Sequence, residues 1–225
     1  STLTYDTNGN LTAYSTTSSY TWDYRNRITQ IKSNVASSTA AATSSFDYDQ
    51  DNQRTYQIVK ATTTATSTTH YPGRYFSKVS SISGATTTST STNYIYAGDT
   101  LVATIEQKFV NNIASGTPIT YFYHPDHLGS TNVVTSATGT ILHTLDYYPY
   151  GAQRINRNTT ATKANRQYIG QFTDSATSLS YLQNRYLDNS RGQFMEKMVP
   201  CTIFSKSRLF QYAFANNSSQ TLIVL

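Results

Sequence analysis

The sequence predicts an all-β protein, an antiparallel β-strip with little helix, on three observations. Aromatic residues are as frequent as charged ones, 13% each, and Tyr alone accounts for 19 positions, so rings that pack across a pleated surface exceed what an ordinary soluble enzyme carries. Long Thr/Ser tracts stand where Ala-, Leu- or Glu-rich helical stretches would be, and Thr tolerates extended backbone. One short unit recurs without gaps, as expected of a repeat architecture.

The first copy of that unit is Tyr5-Asp6-Thr7-Asn8-Gly9-Asn10-Leu11-Thr12, the second Trp22-Asp23-Tyr24-Arg25-Asn26-Arg27-Ile28-Thr29, the third Tyr48-Asp49-Gln50-Asp51-Asn52-Gln53-Arg54-Thr55. Three places after each Asp comes Gly9, Asn26 or Asn52, residue types that accept a left-handed backbone, and three places later a Thr. Each unit therefore reads as strand, tight turn, strand. The Asp accepts hydrogen bonds from turn N–H groups just ahead of it, and the aromatic residue anchors the strand end. The stretch from Ser33 to Ser45 lengthens the second interval, so the spacing is elastic while the unit is fixed.

Between Tyr71 and Glu106, a Tyr71-to-Phe76 segment, a Ser83-Gly84 turn and the run Tyr94 to Asp99 before Leu101 predict two or three more antiparallel strands. The Thr/Ser tracts Ala61 to Thr69 and Ala85 to Thr92 fit either polar strand arms or linkers. From Tyr121 the texture changes: His124-Pro125-Asp126-His127-Leu128-Gly129-Ser130-Thr131, strand-like Asn132 to Thr135, a Thr138-Gly139 turn and Thr140 to Tyr148 predict hairpins. Gly170 to Phe194 reads as the last strands of the same sheet system.

The three aromatic-Asp units resemble the YD repeats of the bacterial RHS family. The segments Asp126-His127-Leu128-Gly129-Ser130-Thr131, Asp146-Tyr147-Tyr148-Pro149-Tyr150-Gly151, Gly170-Gln171-Phe172, Asn184-Arg185-Tyr186-Leu187-Asp188 and Gly192-Gln193-Phe194 stand in the order of that family's repeat-associated core. On this resemblance the chain divides into YD repeats (1–60), a Thr/Ser-rich hairpin strip (61–118), the core (119–200) and a divergent tail (201–225). The resemblance implies a strip wound into a hollow shell, with the core curling at one end around a toxin segment released by autoproteolysis. Three repeats are too few to close a shell, so the chain is expected to be the end of a longer polypeptide or a shortened relative that covers its edges with further YD-repeat strip, its own or another copy's.

Two departures bear on chemistry. Where the family places an Asp-Pro pair the chain has Met198-Val199-Pro200, and the second expected acid is missing before Leu225. Proteolysis of the aspartic type needs two carboxyl groups sharing a proton, so no autoproteolysis is expected. The 25 residues after Pro200 are too few for a toxin domain. Loss of both acids with a short tail is also what a frameshifted gene would produce.

Other chemistries find little support. Cys201 is the single cysteine, which excludes a disulfide framework or cysteine-rich metal site, and no Gly-x-Ser-x-Gly elbow is present. His124, Asp126 and His127 resemble metal ligands, but adjacent strand residues point to opposite faces, which favours a turn element. Asp146 and Asp188 would make a hydrolase pair only if folded together. The net charge of +5 is scattered, against nucleic-acid binding; no apolar run spans a membrane. The glycosylation triplets starting at Asn158, Asn216 and Asn217 read as coincidence in a bacterial-type sequence. The sequence therefore predicts a non-enzymatic encasing or delivery scaffold, secreted or displayed at the cell surface, with no cofactor. Its partners would be further YD strip and toxin cargo. The alternative is an adhesion or carbohydrate-binding strip whose exposed tyrosines, such as Tyr147 and Tyr181, stack on sugar rings.

Overall fold

A computed structural model describes residues 2–14, 18–33, 42–61, 66–159 and 164–196. Fourteen strands form one antiparallel meander in sequence order: β1 (Leu3–Tyr5), β2 (Leu11–Tyr14), β3 (Ser18–Trp22), β4 (Ile28–Ser33), β5 (Ala42–Tyr48), β6 (Arg54–Lys60), β7 (Thr66–Gly73), β8 (Phe76–Ser83), β9 (Thr86–Ala97), β10 (Thr100–Val110), β11 (Ile113–Pro125), β12 (Thr131–Ser136), β13 (Ile141–Tyr147) and β14 (Gln153–Asn158). A 3₁₀ turn, Tyr168–Gly170, leads to four short strands, β15 (Phe172–Asp174), β16 (Leu179–Leu182), β17 (Arg185–Asp188) and β18 (Gln193–Phe194). The fold is all-β with a single 3₁₀ turn among the described residues, as the composition predicts.

Two expectations need correction. The segment from Phe172 to Phe194 does not extend the long sheet; it makes a separate four-stranded sheet. Its strands are only two to four residues long, so it gains independent stability by packing its face on another layer rather than by ladder length. Between Tyr71 and Glu106 the chain contributes to four strands, β7 to β10, because the Thr-rich arm from Thr86 is paired strand along its whole length rather than linker. Residues 62–65 of the other Thr/Ser tract lie outside the described residues, as does everything from 197 on, including Met198, Cys201 and the triplets at Asn216 and Asn217.

A meander places alternate loops on opposite rims. The loops after β1, β3, β5, β7, β9, β11 and β13 share one rim, and the small sheet closes on it from one face. Leu11, Ile28, Ile31 and Phe46 of the long sheet form one apolar cluster with Leu179, Tyr181, Tyr186 and Met195. Phe172 packs against that cluster and against a second one of Tyr94, Leu101, Tyr121, Tyr123, Val134 and Leu145. Removing these side chains from water is the main favourable term holding sheet to sheet.

Candidate functional site

The rim is built from one five-residue loop used repeatedly. In the first three units the loop's first residue, Asp6, Asp23 or Asp49, donates its N–H to the carbonyl four residues on (Asn10, Arg27, Gln53) and accepts at its own carbonyl from the residue three on (Gly9, Asn26, Asn52). Its Oδ1 takes the N–H of the fourth residue at 2.8 to 3.0 Å, from Asn10, Arg27 and Gln53, and in two units that of the second, Arg25 or Asp51. The third residue is left-handed at φ 82°, 58° and 62°, which Gly and Asn tolerate. The same loop recurs at Asp126, whose Oδ1 accepts from Leu128 and Ser130 at 2.8 Å with Gly129 at φ 83°. It recurs with a Ser cap at Ser136 on the opposite rim, and with backbone bonds alone at Tyr148. A bulge falls just before the capping residue's aromatic or equivalent neighbour in every case, bending the strand into the turn.

Each loop is also sewn to the next. The ring before the cap reaches back to the carbonyl five residues past the preceding cap: Trp22 Nε1 donates to Leu11 O at 2.8 Å, Tyr48 Oη to Ile28 O at 2.6 Å and Tyr147 Oη to Thr131 O at 3.0 Å. Side chains at the fourth loop position reach forward: Asn10 Nδ2 donates to Asn26 Oδ1 at 2.8 Å, and Arg27 Nη1 to Asn52 Oδ1 at 3.1 Å. Burial raises the Tyr48 and Tyr147 hydroxyls well above their usual range, so both are protonated donors. Burial opposes ionisation of Asp23, but the N–H groups of Arg27 and Arg25 and the Arg27 guanidinium win and hold its carboxyl below the ordinary value.

At the third unit the ladder passes to the small sheet. The position five past the cap is an inward apolar residue in the first two units, Leu11 and Ile28, and in the third it is Arg54, 4% exposed. Its guanidinium meets Asp174 of β15 at 2.5 Å with both side chains out of water. Aromatic faces enclose it, Tyr71 and Tyr181 at 4.6 Å and Phe46 and Phe172 within 6 Å. Tyr181 Oη accepts from Arg54 N and donates to Asn52 O, and the Gln53 and Asn184 side chains touch at 2.9 Å. Further along the rim, Arg166 lies on the Phe172 ring at 4.0 Å and donates to Gly170 O and Arg74 O. Thr131 Oγ1 donates to Arg166 O, Ser130 Oγ accepts from Ile169 N and Tyr168 Oη donates to Pro149 O.

Most of the remaining motif residues lie in or beside the small sheet. Asp188 caps its own turn, accepting from Ser190 and Arg191 and pairing with Arg191 at 2.7 Å; Gly192 and Gly151 are left-handed, and a Cβ on either would strike the ring of Tyr150 or Tyr168. Gln171 O closes the 3₁₀ turn on Gln167 N, with Gly170 at φ 68°, and Arg185 stacks on Phe194 at 3.7 Å. Tyr186 is buried and bonded to Tyr48. Tyr5 is the ring before the cap in the first unit and is 57% exposed.

The other chemistries raised by the sequence can be placed on this geometry. Asp146 does not cap its loop: Tyr148 does, while Asp146 pairs across the hairpin with Arg154. Asp146 and Asp188 are thus committed to separate arginines in separate sheets and make no acid-base pair. His124 bonds Thr135 while Asp126 is spent on its loop, and among the described residues no group of three His, Cys, Asp or Glu side chains gathers. Tyr181 is 6% exposed and Tyr147 half-buried, so neither offers an open face to a sugar. No helix of the described residues is long and apolar enough to cross a membrane.

Comparison with known proteins agrees with this architecture. Residues 117–220 match the family described as Teneurin YD-shell, and three solved Tc-toxin assemblies carry the same fold. The chain superposes on TcdB2-TccC3 with a TM-score of 0.72 at 18% identity, covering 85% of this chain and 10% of that one. Over residues 117–220 the chain matches a YD-shell family, and its described strands share the fold of these toxin chains. Its strip also matches the Photorhabdus luminescens Tc holotoxin pore (TM-score 0.73, 18% identity, 88% and 10% covered) and TcdB2-TccC3-Cdc42 (0.70, 20%, 85% and 9%). The chain spans about a tenth of the length of the chains it matches. Comparison with curated proteins gives no match. Sequence reasoning missed Arg54, Asp174 and Arg166; aligning the units would have exposed Arg54 as a charge at an apolar position.

Proposed function

We propose that this protein is the end piece of a YD-repeat encasing scaffold: it turns no substrate over, and its small sheet plugs the rim of a strip that elsewhere surrounds a polypeptide cargo. The observation that carries the reading is the rim itself, where the ladder of capped loops ends on the Arg54–Asp174 pair and the small sheet takes the place of a next unit. A plug so fixed blocks one end of a strip without needing any reactive group. The absence of an Asp-Pro pair after Phe194 in the sequence supports a scaffold that does not cleave itself, and the Tc-toxin relatives support a secreted or surface-displayed setting and a toxin passenger supplied from elsewhere. Rings open to solvent at Tyr24 and Tyr75 are where the glycan-binding alternative would have to act.

Enclosure is the test. Grafted as the full 225-residue chain onto the strip of a Tc-type shell in place of the matching segment, it should protect an enclosed unfolded passenger from added protease. A passenger digested as fast as in a shell lacking this segment would overturn the reading. Intact-mass measurement over days should find a single uncleaved species; cuts after residue 196 would remove the non-cleaving part of it.

A further inference from the structure

Two buried arginines lie against the Phe172 ring, Arg54 at 5.9 Å and Arg166 at 4.0 Å, and they are neutralised unequally. Arg54 holds Asp174. Arg166, 8% exposed, donates from Nη1 to Gly170 O and from Nη2 to Arg74 O, both uncharged, and its Nε is shut off from water with no acceptor among the described residues. The sequence holds twelve Asp and Glu residues, all at described positions. Five of them pair with other arginines, and none lies within ion-pair distance of Arg166. Burial, the largest influence, and the like charge of Arg74 both disfavour the charged form of Arg166, against which only tyrosines act. An arginine does not escape by losing its proton, and a buried charge without a counter-charge is costly.

We propose that Arg166 and Arg74 bind one small oxyanion between them, with the Tyr96 hydroxyl as a third donor. Arg74 stands in the turn between β7 and β8, 4.2 Å from the centre of the Tyr96 ring, and Arg166 is 5.8 Å from the same ring. Tyr96 Oη is buried beside the Arg74 guanidinium without an aligned hydrogen bond. Arg74 has a partner of its own in Asp99, but that carboxylate is 93% exposed, and solvent leaves such a pair weak, so Arg74 is released to the ion at little cost. The Arg74 side chain is 41% exposed and gives the ion the path from solvent that Arg166 lacks. Arg166 is set in place for it: its carbonyl takes Thr131 Oγ1, and its backbone bridges to Phe172. Two guanidiniums and a phenol suit the several oxygens of a phosphate, a sulfate or a carboxylate. A free ion and an acidic side chain of another polypeptide bring the same oxygens, and the experiment separates them. The consequence is a second latch for the small sheet. Arg54 and Asp174 fasten it to β6 from within the chain, and the bound ion fastens the residues ahead of β15 to the turn between β7 and β8.

The experiment titrates the full chain with sodium phosphate and, separately, with a capped Gly-Glu-Gly peptide, at an ionic strength held constant with sodium chloride. Binding should raise the melting temperature to a plateau and shift the Arg166 Nε–H resonance, with slower amide exchange in the turn at Arg74 and Tyr75. A response to phosphate identifies a free ion as the ligand, and a response to the peptide alone identifies an acidic side chain. Arg74→Gln, a change at the surface, should weaken the binding about tenfold through the loss of one charge-assisted contact. Arg166→Met removes the buried charge, so it should melt no lower than the parent in chloride alone and respond to neither probe. A parent chain that saturates with neither probe, an Arg74→Gln variant that binds as the parent does, or an Arg166→Met variant that still responds overturns the proposal.

Discussion

The three capped units of β1 to β6 and the small sheet of β15 to β18 draw on the same residues, aromatic rings, carboxylates and glycines, yet different physics holds them. Each unit satisfies its loop from within: the Asp binds N–H groups no more than four residues away, and only one or two side chains reach the next loop. The small sheet has strands too short to stand alone and is fixed by contacts more than a hundred residues apart in sequence, Arg54 to Asp174 and Tyr181 to Asn52 among them. Local codes make the strip extensible, since a unit can be added wherever a carbonyl and a loop are on offer. Long-range ion pairing makes the plug singular, since it fits where the third unit presents a charge in place of Leu11 and Ile28.

That contrast breaks most sharply at Arg54. Replacing it with Ala leaves Asp174 buried without its partner, which costs about 3–5 kcal/mol. Hydrogen exchange should then rise throughout β15 to β18 while the amides of Arg27 and Gln53, bound to their own aspartates, stay slow. The double replacement Arg54→Met with Asp174→Leu should recover most of the loss, because a packed apolar pair needs no counter-charge. Equal deprotection of loops and plug in Arg54→Ala would mean that the two regions are not separate cooperative units.

Glu196 gives the plug a pH dependence that the units lack. Both its oxygens accept the Tyr186 N–H, and burial pushes its carboxyl up to about 8 despite that bond and the nearby charge of Arg185. Below about pH 4.5 the group is protonated in folded and unfolded chains alike and contributes no slope. From there to about 8 the unfolded chain gives up the proton and the folded one keeps it, so stability falls as pH rises, by about 1.4 kcal/mol per unit. Asp23 runs the other way: its lowered folded value adds stability above the ordinary carboxylate range, which is lost on acidification. Glu196→Gln should flatten the decline in melting temperature between pH 5 and 8. Parallel pH profiles for variant and parent would show that Glu196 ionises freely in the folded chain.

How far the sequence revealed each region follows from the same difference. The loops were legible because their chemistry is contiguous: Asp6, Asp23 and Asp49 announce a cap, and Gly9, Asn26 and Asn52 announce its left-handed residue. The loop at Tyr148 carried no such signal, since its first residue is aromatic rather than acidic and backbone bonds alone decide where that turn begins. The separate small sheet was not legible, since β16 and β17 turn like any other hairpin and nothing local says which layer they join. Arg54 carried a signal only in alignment with Leu11 and Ile28, and Asp174 carried none.

Gly151 tests whether the loop without a side-chain cap is as strict as the capped ones. Its φ of 86° is costly for any residue with a side chain, and a Cβ there would lie 2.4 Å from the Tyr168 ring, whose hydroxyl holds Pro149 O. Gly151→Ala combines backbone strain with overpacking and should cost about 2–3 kcal/mol in urea unfolding. Gly9 has the same backbone sign, φ 82°, but Gly9→Asn brings in the residue type that holds this conformation at Asn26 and Asn52, so it should cost far less. A larger loss at Gly9 than at Gly151 would show that the plug contact at Tyr168 contributes nothing.

The smallest effect concerns the stitch between units. Tyr48 Oη donates to Ile28 O at 2.6 Å and faces Tyr186 Oη at 3.4 Å, so it belongs to the ladder and to the plug boundary at once. Tyr48→Phe keeps the ring against Arg27 and removes only the donor, leaving the Ile28 carbonyl without that bond, a loss of about 1 kcal/mol. If the stitch serves the strip, the exchange of the Ile28 region should rise while β15 to β18 keep their protection. If the plug loosens instead, the hydroxyl acts mainly through Tyr186, and the ladder's second step is held by Arg27 and Asn52 without help from the ring.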